Sequence, residues 1–303
     1  MFIFQTLLPI FVQTVLPVML VAAAGYALAH WLSIDSRSLG RMLFFLATPS
    51  LVFRSLYQSE LEFGALRRLA LVAATVAILS GVLGWLAANG ETRQRRAAFI
   101  LTSAVSNNGN MGIPISYFAF GDIGLALGSI YYVVVSFFSN TFGVVIASAG
   151  QTAVSQALMQ SIRVPVLYAA TAGLLLNTLQ LEIPQPIFRA IDLLANAAIP
   201  GMLVLLGVQL HKAPLTKLPW VIFRSVAIRL LLAPLLAWLL CWLLGVQGME
   251  RNVLVLQAGM PTAVMAAVLS TEYDTEPPLV ATVILVSTLL SMVTLSVLLW
   301  LLL

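Results

Sequence analysis

The sequence predicts an all-α integral membrane protein of ten transmembrane helices, built as two inverted five-helix repeats whose helices 4 and 9 are broken and cross. Three observations predict it. Of the 303 residues, 61% are apolar and 9% are charged, whereas a soluble domain carries about 25% charged residues. Two runs, Ser106-Asn107-Asn108-Gly109-Asn110-Met111-Gly112-Ile113-Pro114 and Gln257-Ala258-Gly259-Met260-Pro261-Thr262, place asparagine, glycine and proline in the middle of lipid-crossing stretches. Three prolines of the first half recur in the second half at nearly one spacing.

Composition also removes whole classes of function. No hydrophilic stretch is long enough to form a domain outside the membrane, which leaves no place for an enzyme of ordinary size. Cys241 is the single cysteine and lies in an apolar run, so a disulfide framework and a thiolate metal site are excluded. With two histidines, His30 and His211, a protein-only zinc cluster is not expected. The net charge of +4 is dispersed and reflects topology rather than nucleic-acid binding. No resident cofactor is expected; a coupling ion, H+ or Na+, is the one addition transport chemistry allows. The start Met1-Phe2-Ile3-Phe4-Gln5 lacks the basic residues of a cleavable signal, so the first helix is expected to be retained.

Taken in order, apolar windows fall at 8–32, 39–58, 66–89, 97–118, 123–149, 163–180, 186–210, 218–245, 250–271 and 278–302. Their connections are short. The longest, 150–162, is mildly amphipathic and reads as a surface helix joining a first repeat, 1–149, to a second, 163–303. Connections after odd-numbered helices carry Arg37, Arg41, Arg93, Arg95, Arg96, Arg163, Lys212 and Lys217; those after even-numbered helices carry Arg67, Arg68, Arg189 and Arg251. Positive residues favour the cytoplasm, so both termini are expected on the extracytoplasmic side of the inner membrane.

The repeat is visible in proline. Pro17 and Pro165 are 148 residues apart, Pro49 and Pro200 are 151, and Pro114 and Pro261 are 147. Each pair occupies the same ordinal helix of its half. A five-helix unit has odd parity, so its second copy must enter from the opposite face.

The two polar runs carry the chemistry. Asparagine competes for backbone hydrogen bonds and glycine frees the dihedrals, so helix 4 is expected to unwind after Val105 or Ser106. Pro114 suits the first turn of a new helix, and Gln257, Gly259 and Pro261 are expected to act likewise in helix 9. Hydrocarbon cannot repair freed backbone groups, so such breaks survive only where protein or a wet cavity satisfies them. Two half-helix N-termini meeting at the midplane would offer amides and partial positive charge to an anion. The alternative is a proline kink whose asparagines bind neighbouring helices.

Charges inside the membrane are candidates by default. Arg54, five residues past Pro49, is positioned to clamp a carboxylate or to snorkel to the outer interface. Arg224 and Arg229 in helix 8 are expected to meet backbone carbonyls or a carboxylate. Asp192 and Glu250 have Arg189 and Arg251 close in sequence, so local ion pairs are expected; with a pKa raised by burial, either acid could instead couple proton uptake. His30 reads as interfacial. Tyr132, Ser139, Asn140 and Asn196 are uncharged candidates, for the crossing or for helix–helix hydrogen bonds.

The run Asn107-Asn108-Gly109-Asn110-Met111-Gly112-Ile113-Pro114 resembles the Asn-x-x-x-Met-Gly-Ile-Pro segment of the auxin efflux carrier family. Gln257-Ala258, Pro261, Glu272-Tyr273, Pro278 and Thr294-Leu295 are similar to its last two helices, and Ala47-Thr48-Pro49-Ser50-Leu51-Val52-Phe53 to its second. The resemblance implies a scaffold of helices 1, 2, 6 and 7 and a mobile transport unit of helices 3–5 and 8–10. It also implies a small organic anion, a mono- or dicarboxylate, as cargo, elevator-type alternating access, and a homodimer in the bilayer. Asn107, Asn108, Asn110, Gly112, Pro114, Gln257, Gly259 and Pro261 are then the expected substrate site, with Asn140 and Arg54 beside it. Asn110 departs from the family, which has an apolar residue there, and the long cytoplasmic loop of many plant members is absent. The rivals are a sodium-coupled bile-acid-type symporter and a ligand-gated channel or membrane sensor. A membrane enzyme is disfavoured because no nucleophile–base or metal-ligand constellation is present.

Overall fold

The computed structural model describes residues 7–148, 153–212 and 222–303. Lys217, the start of the window at 218, the residues at 149–152 and the Met1–Gln5 start lie outside the described residues. Among the described residues the fold is all-helical, with one isolated bridge in place of any sheet. The helices are α1 (Leu7–Trp31), α2 (Ser36–Tyr57), α3 (Phe63–Ala87), α4 (Arg93–Ala104), α5 (Asn108–Ala147), α6 (Val154–Ile162), α7 (Pro165–Thr178), α8 (Gln185–His211), α9 (Ile222–Leu243), α10 (Gly248–Ala258), α11 (Val264–Glu272) and α12 (Pro277–Leu302).

Seven of these, α1, α2, α3, α5, α8, α9 and α12, are long and apolar enough to cross a bilayer. The 40 residues of α5 would reach about 60 Å if straight, twice the roughly 30 Å hydrocarbon core. They are not straight. Gly121 takes φ +63°, a left-handed value that only glycine adopts freely, and the chain doubles back there. A Cβ on Gly124 would stand 2.2 Å from the Ser116 carbonyl oxygen, and one on Gly128 would be 3.3 Å from the Ser116 side chain. In a continuous helix residues 116 and 128 would be about 18 Å apart. The window at 97–118 thus holds α4 and the first limb of α5, and the window at 250–271 holds α10 and α11.

Local signals set the ends. The Asp35 carboxylate caps α2, accepting from the Arg37 and Ser38 N–H groups and from the Ser38 hydroxyl. The Thr92 hydroxyl accepts from Arg95 N–H at α4. Prolines occupy the first turns of α7, α8 and α12, where no N–H is needed. Among the described residues five wide π-turns interrupt the helices, at 11–15, 43–47, 108–112, 139–143 and 228–232.

α1 lies along α8, and α2 along α7. Small residues let these backbones touch. A Cβ on Gly25 would be 2.3 Å from the Val204 carbonyl, and one on Gly207 only 1.8 Å from that of Ala22. On the other pair, a Cβ on Gly173 would be 2.8 Å from the Phe53 carbonyl.

The ion pairs differ from the sequence expectation. Asp192 meets Arg54 at 2.6 Å rather than Arg189, and Glu250 takes a two-bond fork from Arg68, at 2.7 and 3.0 Å, rather than Arg251. Adjacent helical residues point apart, which separates Glu250 from Arg251. Asn196, a candidate for the crossing or for a helix–helix hydrogen bond, makes the latter, accepting from Arg54 at 2.6 Å. Arg95 joins Glu91 and Glu276, each at 3.1 Å.

Candidate functional site

α4 ends at Ala104, and Val105 turns extended. From there the chain meets the second interruption. Asn107 N–H donates to the Pro261 carbonyl at 2.8 Å, Ala263 N–H donates to the Val105 carbonyl at 3.0 Å, and Ser106 pairs with Thr262 in an antiparallel bridge. Each break thus supplies the backbone partners the other has lost, as a membrane interior requires. Pro114 lies in the first turn of the helix that resumes at Ile113, as its position predicts. Pro261 does not open a helix: it sits in the extended link before α11, where it needs no donor and its carbonyl serves Asn107.

Side chains lock the junction. Asn108 Nδ2 donates to both the backbone and side-chain oxygens of Gln257, at 2.8 Å each, while Ser106 Oγ bonds Asn108 Oδ1. Gln257 Nε2 donates to Ser116 Oγ at 3.0 Å. Thr262 Oγ1 donates to the Thr102 carbonyl at 2.8 Å, and Thr262 N–H to Ser287 Oγ at 3.2 Å. Gly112 is required here, because a Cβ would stand 2.3 Å from Gln257 Oε1. Arg229, 1% exposed, donates from Nη1 to the Ser103 carbonyl at 2.7 Å and from Nη2 to that of Ala258.

A cavity of about 460 Å³ opens beside the junction. Asn107, Asn110 and Asn140 line it together with Tyr132, Ser139 and Gln209, and it extends to the exposed Arg37 and Arg41 at the start of α2. Three of the five π-turns, at 43–47, 108–112 and 139–143, contribute to its wall. Asn107 is 5% exposed, and its Nδ2 has no hydrogen-bond partner among the described residues; neither has the Oε1 of Gln209. The helical turns that begin beyond Asn107 and Ala263 have no side-chain cap, so two N-termini reach the cavity wall uncapped. Their partial positive charge and the Asn107 amide favour a negative group. A second hollow of about 380 Å³, between α3, α4 and α5, is lined by exposed Ile78, Trp85 and Phe142 and is overwhelmingly apolar, which suits lipid and not an anion.

The predicted site residues therefore divide. Asn107, Asn110 and Asn140 face the cavity. Asn108, Gly112, Pro114, Gln257, Gly259 and Pro261 are buried in the junction behind it, Gly259 against Leu298. Arg54, Asp192 and Glu250 are not brought to the cavity. Sequence reading passed over Gln209, although an amide after the apolar run 202–208 of α8 was a usable signal. Arg37 and Arg41 were read for topology alone.

An apolar helical bundle with a polar chamber at two mutually paired helix interruptions is the architecture of a membrane transport protein, not of an enzyme. A family profile described as membrane transport protein matches residues 10–299, and the chain belongs to that family, the auxin efflux carrier family its motifs resemble. An uncharacterized transporter of Methanothermobacter thermautotrophicus is 29% identical over 93% of this chain and 95% of its own length. A relative of Rhizobium meliloti, provisionally named a malonate transporter, is 27% identical over 95% of this chain and 94% of its own.

Proposed function

We propose that this protein is a secondary carrier that moves a small organic anion, a carboxylate of the malonate class, across the inner membrane. The observation that carries the proposal is the unpartnered Asn107 amide, 5% exposed, at a cavity that two uncapped helix N-termini also reach. A carboxylate accepts hydrogen bonds and carries the charge these groups lack. Arg37 and Arg41 draw anions to the opening.

The proposal includes ten crossings in two inverted repeats, 1–149 and 163–303. Gly25 contacts Val204 and Gly173 contacts Phe53; the glycines are 148 residues apart and their partners 151, so one contact is the repeat of the other. Connections of equal parity also meet: Lys212 Nζ donates to the Ile34 carbonyl at 2.9 Å, and Tyr57 OH to that of Leu181 at 3.1 Å.

Elevator motion requires two bodies that slide. Arg54–Asp192 lies wholly within the scaffold helices α1, α2, α7 and α8, while Arg68–Glu250, Arg95–Glu91 and Arg95–Glu276 lie wholly within the remainder. None of these ion pairs joins scaffold to transport unit. Ser55 Oγ, on the scaffold, does meet Ser129 Oγ of the transport unit, at 3.2 Å, a neutral bond that sliding can exchange. The cavity opens toward Arg37 and Arg41, which supports reading this state as inward-facing, with both termini outside. The family resemblance extends the proposal to a homodimer.

The test is uptake of labelled malonate and other mono- and dicarboxylates into proteoliposomes, with counterflow against unlabelled substrate. Saturable counterflow for one carboxylate class supports the carrier. Flux without counterflow identifies a channel, and no flux for any carboxylate overturns the substrate class.

A further inference from the structure

We infer that Arg229 is the built-in counter-cation of the crossing, holding the place that a coupling metal cation takes in carriers with interrupted helices, so that no sodium binds there. The argument starts from the ends of α4 and α10. Each stops within the apolar bundle, at Ala104 and Ala258, and the C-terminus of a helix carries roughly −0.5 charge. Two such ends aimed at one point present about −1 in a medium that cannot screen it. Carriers of this general build commonly fill such a point with Na+ or a proton, coordinated by unwound carbonyls and helix C-terminal ends.

Here the point is already filled. Arg229 reaches in from α9, is 1% exposed, and divides its fork between the Ser103 carbonyl near the end of α4 and the Ala258 carbonyl at the end of α10. No carboxylate shares it: the ion pairs between described residues are those of Arg54, Arg68 and Arg95. A buried guanidinium without an acid is costly unless something else neutralises it. The two helix ends supply that charge, about −1 against +1. The planar fork also spans two carbonyls that diverge, which a single ammonium does less well. Arg229 thereby ties the two halves of the junction together without lining the Asn107 cavity, leaving the helix N-termini for the anion.

The test uses thermal unfolding of the purified full chain in detergent and needs no cargo, so its failure leaves the carboxylate reading standing, and the reverse. The wild type is melted in sodium, potassium and choline chloride at one ionic strength, alongside Arg229→Ala with and without millimolar methylguanidinium. The expected result is one Tm for the wild type in all three salts. Arg229→Ala should melt several degrees lower and recover part of that loss with methylguanidinium. A sodium-specific rise in the wild-type Tm, or an Arg229→Ala variant that melts like the wild type, overturns the inference. Should Arg229→Ala fail to fold, Arg229→Lys and Arg229→Gln decide. Both can donate to a carbonyl but only lysine is charged, so lysine melting above glutamine supports a counter-cation, and equality or the reverse order overturns it.

Discussion

Asn107 and Asn108 are neighbours with opposite surroundings, and replacing each with alanine should have opposite effects. Asn108 is 1% exposed and bonds Gln257 Oε1, the Gln257 carbonyl and Ser106 Oγ. Asn108→Ala strands at least the Gln257 side-chain oxygen and the Ser106 hydroxyl, each at about 1–3 kcal/mol, so roughly 2–4 kcal/mol after relaxation. At about 2–4 °C per kcal/mol, this is a fall in Tm of roughly 4–16 °C. Asn107 Nδ2 has nothing to lose in the unliganded protein. Asn107→Ala should therefore melt with the wild type. Its deficit should appear on cargo, where one hydrogen bond to a carboxylate is worth about 1.5–3 kcal/mol, or about 10- to 150-fold in half-saturating concentration. Scanning fluorimetry and carboxylate uptake on the same preparations read both axes. Loss of stability in Asn107→Ala with unchanged uptake affinity would refute the division of labour drawn from the hydrogen bonds.

Three further outcomes follow from the structure. Gly207→Ala drives a Cβ to 1.8 Å from the Ala22 carbonyl, and forcing α1 from α8 should cost about 1–3 kcal/mol; Gly40→Ala, with ordinary contact at 3.7 Å, is the control for the same Tm measurement. Asp192→Asn and Glu250→Gln should leave the pH profile of uptake unchanged, because Arg54 and Arg68 hold both acids away from the cavity; a displaced profile would mark the altered acid as the proton carrier. The Ser38 hydroxyl and the Arg37 N–H hold the Asp35 carboxyl below its ordinary pKa. Its cap is therefore in force above that ordinary value and released as pH falls through the lowered one. The Tm difference between wild type and Asp35→Ala should be full at neutral pH and vanish in acid.

Much of the architecture was legible because lipid is an unforgiving solvent. Asn107, Gly109 and Pro261 stood out since nothing in an apolar run excuses them. What they touch was not legible. The bond from Asn107 N–H to the Pro261 carbonyl joins backbone groups that every residue possesses, so side-chain chemistry gives no hint of the pairing. The partners of Asp192 and Glu250 lie 138 and 182 residues away, whereas local reading offered the arginine next in line. The turn at Gly121 was legible, since it falls in the gap between the windows at 97–118 and 123–149, where Gly121 and Asp122 interrupt the apolar run. Arg229 was expected to meet carbonyls or a carboxylate, and only packing could say that it meets carbonyls of two different helices.

The pairing of Val105 and Asn107 with Ala263 and Pro261 also constrains how the molecule is made. Those two pieces of chain are separated by more than half of the polypeptide, so the early one is inserted while its complement is still unsynthesised. Until then its amide and carbonyl must borrow water or lipid headgroups, an arrangement hydrocarbon tolerates badly. The cavity beside this junction is thus among the last features to assemble, and a ribosome stalled before residue 264 leaves a membrane-bound fragment in which the first break has no partner.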